Sequence, residues 1–244
     1  MEPERLCFER AGEPLGGLLL RGPARTAPGV VLVPSVHGCN DYVIDVARRL
    51  VSQRYNVFVF DLYSRGDKPG DLSSPELIGA AVAGLPDERI ALDVAAAGRY
   101  LGAHEAVAGE PVAALGFCVG GLYSFLAAAV DGTFAAAVDF YGMIRYRDLS
   151  GAKRRQPVDS AEAINAPLLA HFGEGDPWCS GDHVEELKRR LATAGKVHEI
   201  YTYPGAGHAF HEFHRPAVYR PVAAAAAWDR SLVFLDYYLH GSHA

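Results

Sequence analysis

Ala113-Ala114-Leu115-Gly116-Phe117-Cys118-Val119-Gly120-Gly121 is an apolar run that ends at a G-x-C-x-G-G turn, with an Ala-rich helical pattern directly behind it. Such a run reads as a buried strand feeding a helix through a turn so tight that its middle residue is strained outward, a nucleophile elbow. Gly116 and Gly120 suit that turn, because a Cβ at either position would collide with neighbouring backbone. The residue at the tip is Cys118, whose thiol becomes a good nucleophile only when a neighbour takes its proton.

Outward from the elbow, short apolar runs alternate with longer helical patterns. The spacing predicts strands over Leu15–Arg21, Val30–Val33, Asn56–Asp61, Pro111–Phe117, Phe134–Tyr141, Pro167–Phe172 and Val197–Tyr203. Helices are predicted over Asp41–Ser52, Pro86–Ala103, Gly120–Val130, Gly181–Ala194 and Pro221–Leu239. Val43, Val46, Ala47 and Leu50 share one face of the first helix, and Gly195 is a natural stop for the fourth. The continuous apolar run Asn56–Asp61 fits a parallel strand covered on both faces. Ser64–Pro75 and the basic stretch Arg145–Arg155 read as loops. This alternation implies an α/β fold, a mostly parallel central sheet with helices on both faces. About 26 residues separate Tyr141 from Pro167, too few for a cap domain there, so an open or loop-covered site is expected.

The bulk properties narrow the function classes. Of the 244 residues, 50% are hydrophobic and 21% charged, the proportions of an ordinary globular protein, and one domain over residues 1–244 is expected. A formal net charge of -6 leaves no basic footprint, so nucleic acid is not an expected partner. Met1-Glu2-Pro3-Glu4-Arg5 is charged, and no apolar stretch of signal or spanning length follows it. A cytoplasmic protein without a membrane partner, monomeric or homodimeric, is therefore expected. Cys7, Cys39, Cys118 and Cys179 are widely spaced and form no C-x-x-C pair, which argues against disulfides and a zinc knuckle. All but Cys118 read as packing residues.

The elbow thiol needs a base, and the base needs an orienting acid. In chains built on such an elbow the order is nucleophile, acid, histidine. Leu168-Leu169-Ala170-His171-Phe172-Gly173-Glu174-Gly175-Asp176-Pro177 places Asp176 just past a strand, and Tyr203-Pro204-Gly205-Ala206-Gly207-His208 places His208 after the last one. Each motif alone is weak; all three in order, each at a strand end, form a strong signal. His208 would take the proton of Cys118 and return it to a leaving group, while Asp176 fixes the imidazole tautomer. The oxyanion that develops needs backbone donors. Val119, the residue after the nucleophile, supplies one, and the loop Pro34-Ser35-Val36-His37-Gly38-Cys39-Asn40 supplies the other, placed at Val36.

With these residues in place the sequence resembles the dienelactone hydrolase (carboxymethylenebutenolidase) family of the α/β-hydrolase fold. The resemblance rests on Gly116–Gly121, on Asp61-Leu62-Tyr63-Ser64-Arg65 with Pro69-Gly70, on Gly173–Pro177 and on Gly207-His208-Ala209-Phe210, and it spans roughly Leu15 to Leu239. It implies Cys118, Asp176 and His208 as the triad, Val36 and Val119 as oxyanion donors, and hydrolysis of esters or lactones without metal or organic cofactor. The sequence departs from the family at three positions. Ser35 stands where dienelactone-opening members carry a glutamate, Glu212 where they carry an arginine, and Ala209 where they carry a serine. A substrate other than a dienelactone, and a Cys118 activated by His208 alone, are the corresponding expectations.

Four further positions are candidate pocket contacts beside Ser35. His37 sits in the oxyanion loop, Tyr141 ends the strand beside the elbow strand, and Tyr63 and Arg65 lie in another strand-end loop. Arg145, Arg147, Lys153, Arg154 and Arg155 are a candidate carboxylate anchor, though such runs are more often solvated loops. His208, His211 and His214 recur at three-residue intervals, but such positions diverge around a helix, so no metal site is expected. The expected function is a cysteine-dependent ester or lactone hydrolase working through a thioacyl-enzyme. The alternatives are a cyclase or acyl transferase using the same site and, more remotely, a non-catalytic binder.

Overall fold

The computed structural model describes residues 2–66 and 68–241; Asp67, inside the expected loop Ser64–Pro75, lies outside them. Its strands are β1 (Glu4–Arg10), β2 (Glu13–Leu20), β3 (Gly29–Val33), β4 (Asn56–Phe60), β5 (Val112–Phe117), β6 (Ala136–Phe140), β7 (Leu168–Gly173) and β8 (His198–Tyr203). They form a sheet in the order β1-β2-β4-β3-β5-β6-β7-β8. From β4 to β8 neighbouring strands run parallel, and the β1–β2 hairpin joins β4 antiparallel. The sheet is thus the mostly parallel α/β sheet that the alternation implies. β1 has no counterpart in the sequence pattern, because charged residues stand at both of its ends and only Leu6 and Phe8 turn onto the core.

The helices are α1 (Asp41–Ser52), α2 (Pro75–Gly84), α3 (Asp87–Ala103), α4 (Val119–Ala128), α5 (Gly181–Thr193) and α6 (Pro221–Leu235). α1 has the predicted bounds because Asn40 caps it, its side chain accepting the N–H of Val43 at 3.1 Å. α6 is shorter than the predicted Pro221–Leu239, since Asp236–Gly241 continues in π geometry. α2 escapes the sequence pattern: small residues between Ile78 and Val82 blur its apolar periodicity, and only Val82 is buried. One core lies under α3, α4 and α5, the other under α1 and α6, and β3 to β7 are buried along their whole lengths between them. No helix among the described residues is long and apolar enough to cross a membrane.

The strand order explains where a site belongs. β3 and β5 are neighbours, but the connection leaving β3 runs to β4 on one side and the connection leaving β5 runs to β6 on the other. At such a switch point the loops part and leave a crevice outside the carboxyl ends of the strands. The loop of residues 34–40 follows β3 and the elbow follows β5, which places the two side by side.

Candidate active site

Cys118 joins β5 to α4 with φ +58° and ψ -124°, a conformation that L-residues rarely adopt. The surrounding glycines make it possible. A Cβ on Gly116 would stand 2.1 Å from the carbonyl oxygen of Gly120, and one on Gly120 would stand 2.2 Å from that of Val33. The backbone of the elbow is anchored by the N–H of Cys118, which donates to Phe140 at 2.9 Å. The Cys118 side chain is half-buried and faces a cavity of about 190 Å³. Strain held at one residue by a rigid frame is typical of functional positions.

Asp176 and His208 meet at the same cavity from the loops after β7 and β8. Asp176 is buried, and its Oδ2 lies 2.8 Å from His208 Nδ1, while its Oδ1 accepts the N–H of Trp178 at 2.8 Å. The loops that carry the two are bonded together: Glu174 donates to Tyr203 at 3.0 Å and Gly175 to Ala206 at 2.9 Å. Behind them a buried chain of hydrogen bonds fixes the end of β8. Ser231 Oγ donates to Ala227 and so accepts from His171 Nε2–H at 3.0 Å; Tyr203 OH then donates to His171 Nδ1 at 3.0 Å and accepts from Arg230. Burial lowers the proton affinity of His208, but the Cys118 sulfur and the bonded Asp176 carboxylate outweigh it and raise the imidazole to about 10. Near neutral pH the histidine therefore carries a proton.

Val36 and Val119 both line the cavity, and among the described residues no acceptor takes either backbone N–H. Val119 also opens α4, where the helix dipole favours a developing negative charge. Ser35, His37 and Tyr141 line the cavity as well. Tyr141 has φ +48°, its ring meets His208 edge-on at 5.1 Å, and burial pushes its hydroxyl well above the ordinary phenol range. Burial lowers His37, with Glu212 opposing and Arg215 and Lys68 reinforcing the shift.

Two sequence-predicted contacts fall elsewhere. Tyr63 OH donates to the carbonyl of Val36 at 2.5 Å, so it braces the loop after β3 and does not line the cavity. Arg65 is drawn away from the cavity by the buried Asp93, 3.1 Å from its Nη2, and it also meets Glu13 and the carbonyl of Arg10. The basic loop does not line the cavity either. Arg145 pairs with Glu186, Arg154 and Arg155 face Glu88, and Lys153 is buried on Asp87. The three evenly spaced histidines turn to three different partners: His208 to Asp176, His211 to Tyr42 and His214 to Asp45.

The walls of the cavity were only partly legible in the chain. α2 adds Pro75, Ile78 and Val82 as a roof where only loops were expected, and Leu122, Met143 and Trp178 complete an apolar lining. Opposite them stand Glu212 and Arg215, the second three residues beyond the position where the family's arginine is absent, with Nη1 and Oε2 3.1 Å apart. Beneath this wall, burial drives His211 down to about 3, with Arg49 adding to the effect. Its folded-state value lies below the 6.5 of the unfolded chain, so its stability contribution is complete above pH 6.5 and is lost as pH falls toward 3. Denaturant titrations should show a loss on the order of 1 kcal/mol per pH unit in that window from this residue. His211→Gln should remove that component of the slope; an unchanged slope would refute it.

The chain is similar to known proteins over nearly its whole length. Residues 15–239 match the model of the dienelactone hydrolase family. A Bradyrhizobium sp. protein provisionally named 2-oxo-3-(5-oxofuran-2-ylidene)propanoate lactonase is 41% identical over 214 residues, covering 88% of this chain and 85% of that protein. An Escherichia coli K12 protein provisionally named carboxymethylenebutenolidase is 33% identical over 215 residues, covering 86% of this chain and 77% of its own. The crystal structure of a Klebsiella pneumoniae protein provisionally named dienelactone hydrolase superposes with a TM-score of 0.87 at 28% identity, covering 98% of this chain and all of the other. The chain belongs to the dienelactone hydrolase family and is a hydrolase of the α/β-hydrolase fold.

Proposed function

We propose that this hydrolase opens a small lactone bearing a carboxylate, using Cys118 as nucleophile, His208 as acid and base, and Asp176 as the residue that orients it. The observation that carries the reading is the strained Cys118 facing an imidazole that is bonded to Asp176 at 2.8 Å. Cys118 Sγ attacks the acyl carbon, and the carbonyl electron pair moves onto oxygen, where the N–H groups of Val36 and Val119 receive it. The tetrahedral intermediate collapses as the ring C–O bond breaks, and His208 gives its proton to the departing oxygen. Water then attacks the thioester, His208 takes a proton from it, and the C–S bond breaks to release the acid and restore the thiolate.

The cavity and a relative support the substrate class. About 190 Å³ lined mainly by apolar side chains suits a small ring. The Bradyrhizobium protein is named for a lactone ring attached to a 2-oxo acid. Arg215, held by Glu212 on the cavity wall, has the planar donor pair that a carboxylate accepts. Rapid mixing with an activated ester, quenched and read by intact mass, should reveal an acyl adduct on Cys118; turnover without any adduct on that residue would sink the thioacyl mechanism. Arg215→Ala should raise KM for a carboxylate-bearing lactone about ten- to a hundredfold with little change in kcat. The neutral methyl-ester analogue should be nearly unaffected, and equal losses on both substrates would remove Arg215 from recognition.

A further inference from the structure

β6 carries a buried carboxyl group that the steps above do not use. Asp139 is 3% exposed, and its register neighbours across the sheet are Gly116 and Ala170, so no bulky side chain flanks it. Its Oδ1 accepts the N–H of Gly142 at 2.7 Å. A Cβ on Gly121, in the first turn of α4, would stand 2.1 Å from that oxygen, and one on Gly142 would stand 2.5 Å from it. The elbow helix and the turn after β6 therefore close directly over the acid. An apolar side chain would fill the same space without the cost of desolvating a carboxyl group, so packing alone does not account for it.

The ionisable groups around Asp139 are those of the site. His208 favours its charged form and Asp176 opposes it. Cys179, buried in the loop after β7, feels both carboxylates, and Cys118 stands at the tip of the elbow that covers Asp139. Burial is the largest influence, and despite the Gly142 N–H and His208 it pushes the carboxyl group up to about 7. Such coupling is reciprocal: ionised Asp139 favours the proton on His208, and protonated His208 favours ionised Asp139.

We propose that Asp139 is a second acid of the site, a positioning residue that seats the elbow helix on β6 and sets the proton affinity of His208 from behind. The inference rests on the triad reading above. A negative charge placed there supports the imidazolium without touching substrate, since the glycine-lined elbow lies between them. It also makes the acid–base state of His208 respond to pH near neutrality, through a group that no substrate displaces.

Asp139→Asn tests this, because the amide keeps the shape and the acceptor for Gly142 but cannot ionise. The readouts are the His208 imidazole titration by NMR and the pH profile of kcat/KM for a small ester. The His208 midpoint should fall by about one pH unit, and the alkaline limit of kcat/KM should move with it. The inflection near neutrality should vanish. Profiles that superimpose on the parent's, with only Tm changed, would make Asp139 structural and overturn the proposal. Should the variant not fold, infrared spectroscopy of the parent decides. A protonated-carboxyl band that titrates near neutrality and shifts when Cys118 is alkylated supports the coupling, and its absence overturns it. Failure of the triad reading is separable: it appears as retained turnover in Cys118→Ala, whatever Asp139→Asn does.

Discussion

Replacing Cys118 with alanine is expected to lower kcat/KM for an ester or lactone by at least about a thousandfold, the usual consequence of removing a catalytic nucleophile. The cavity, the Val36 and Val119 N–H groups proposed to receive the oxyanion and the His208–Asp176 pair would all remain, so a small rate above that in water should survive. Stability should barely move, because alanine keeps the Cβ that strains the elbow at φ +58°. Cys118→Gly separates the two effects: it should be equally inactive yet about 1 kcal/mol more stable, since glycine adopts positive φ without strain. Steady-state kinetics and thermal melts on the two variants check both halves. Activity within tenfold of the parent in either variant would dismiss the sulfur as nucleophile.

The second large effect lies away from the chemistry. Lys153→Met is expected to cost about 3–5 kcal/mol, the range for breaking a buried ion pair by removing one partner. Lys153 is 2% exposed, its Nζ lies 2.5 Å from Asp87 Oδ1, and Asp87 also accepts from Tyr123 at 3.1 Å and from Tyr146 at 2.6 Å. Burial lowers the lysine's proton affinity while Asp87 restores part of it. Methionine would fill the space but leave Asp87 with a buried charge and only neutral donors. For a chain of this size the loss corresponds to a fall in Tm of roughly 10 °C. Arg154→Ala and Arg155→Ala, beside Lys153 in sequence, should change Tm immeasurably, because their contacts with Glu88 are long and exposed. A Lys153→Met protein that melts with the parent would show that the pair stabilises nothing.

The contrast shows what the sequence could and could not reveal. Burial patterns with a fixed period were legible, so β3 to β8 and α1 appear close to their predicted bounds. The strand-end order of Cys118, Asp176 and His208 was legible because parallel strands send their carboxyl ends to one edge. Side-chain destinations were not. Lys153 and Arg154 are neighbours in one basic stretch, yet one is buried on Asp87 and the other solvated, and only the path of the chain decides which. Tyr63 and Arg65 occupy the right loop, but Val36 and Asp93 claim their polar atoms first. Arg215 and Asp139 carry no motif at all; one enters the cavity wall, and the other lies where glycines leave room.

α2 contributes Pro75, Ile78 and Val82 to the roof of the cavity, whereas Cys118, Asp176 and His208 all stand in loops after strands. Most of its residues are exposed or half-buried, and it follows a segment rich in glycine, proline and serine. This one wall of the cavity is therefore separate in the chain from the loops that hold Cys118, Asp176 and His208. Exchanging Pro75, Ile78 and Val82 would reshape the space offered to a substrate without touching Cys118, Asp176 or His208.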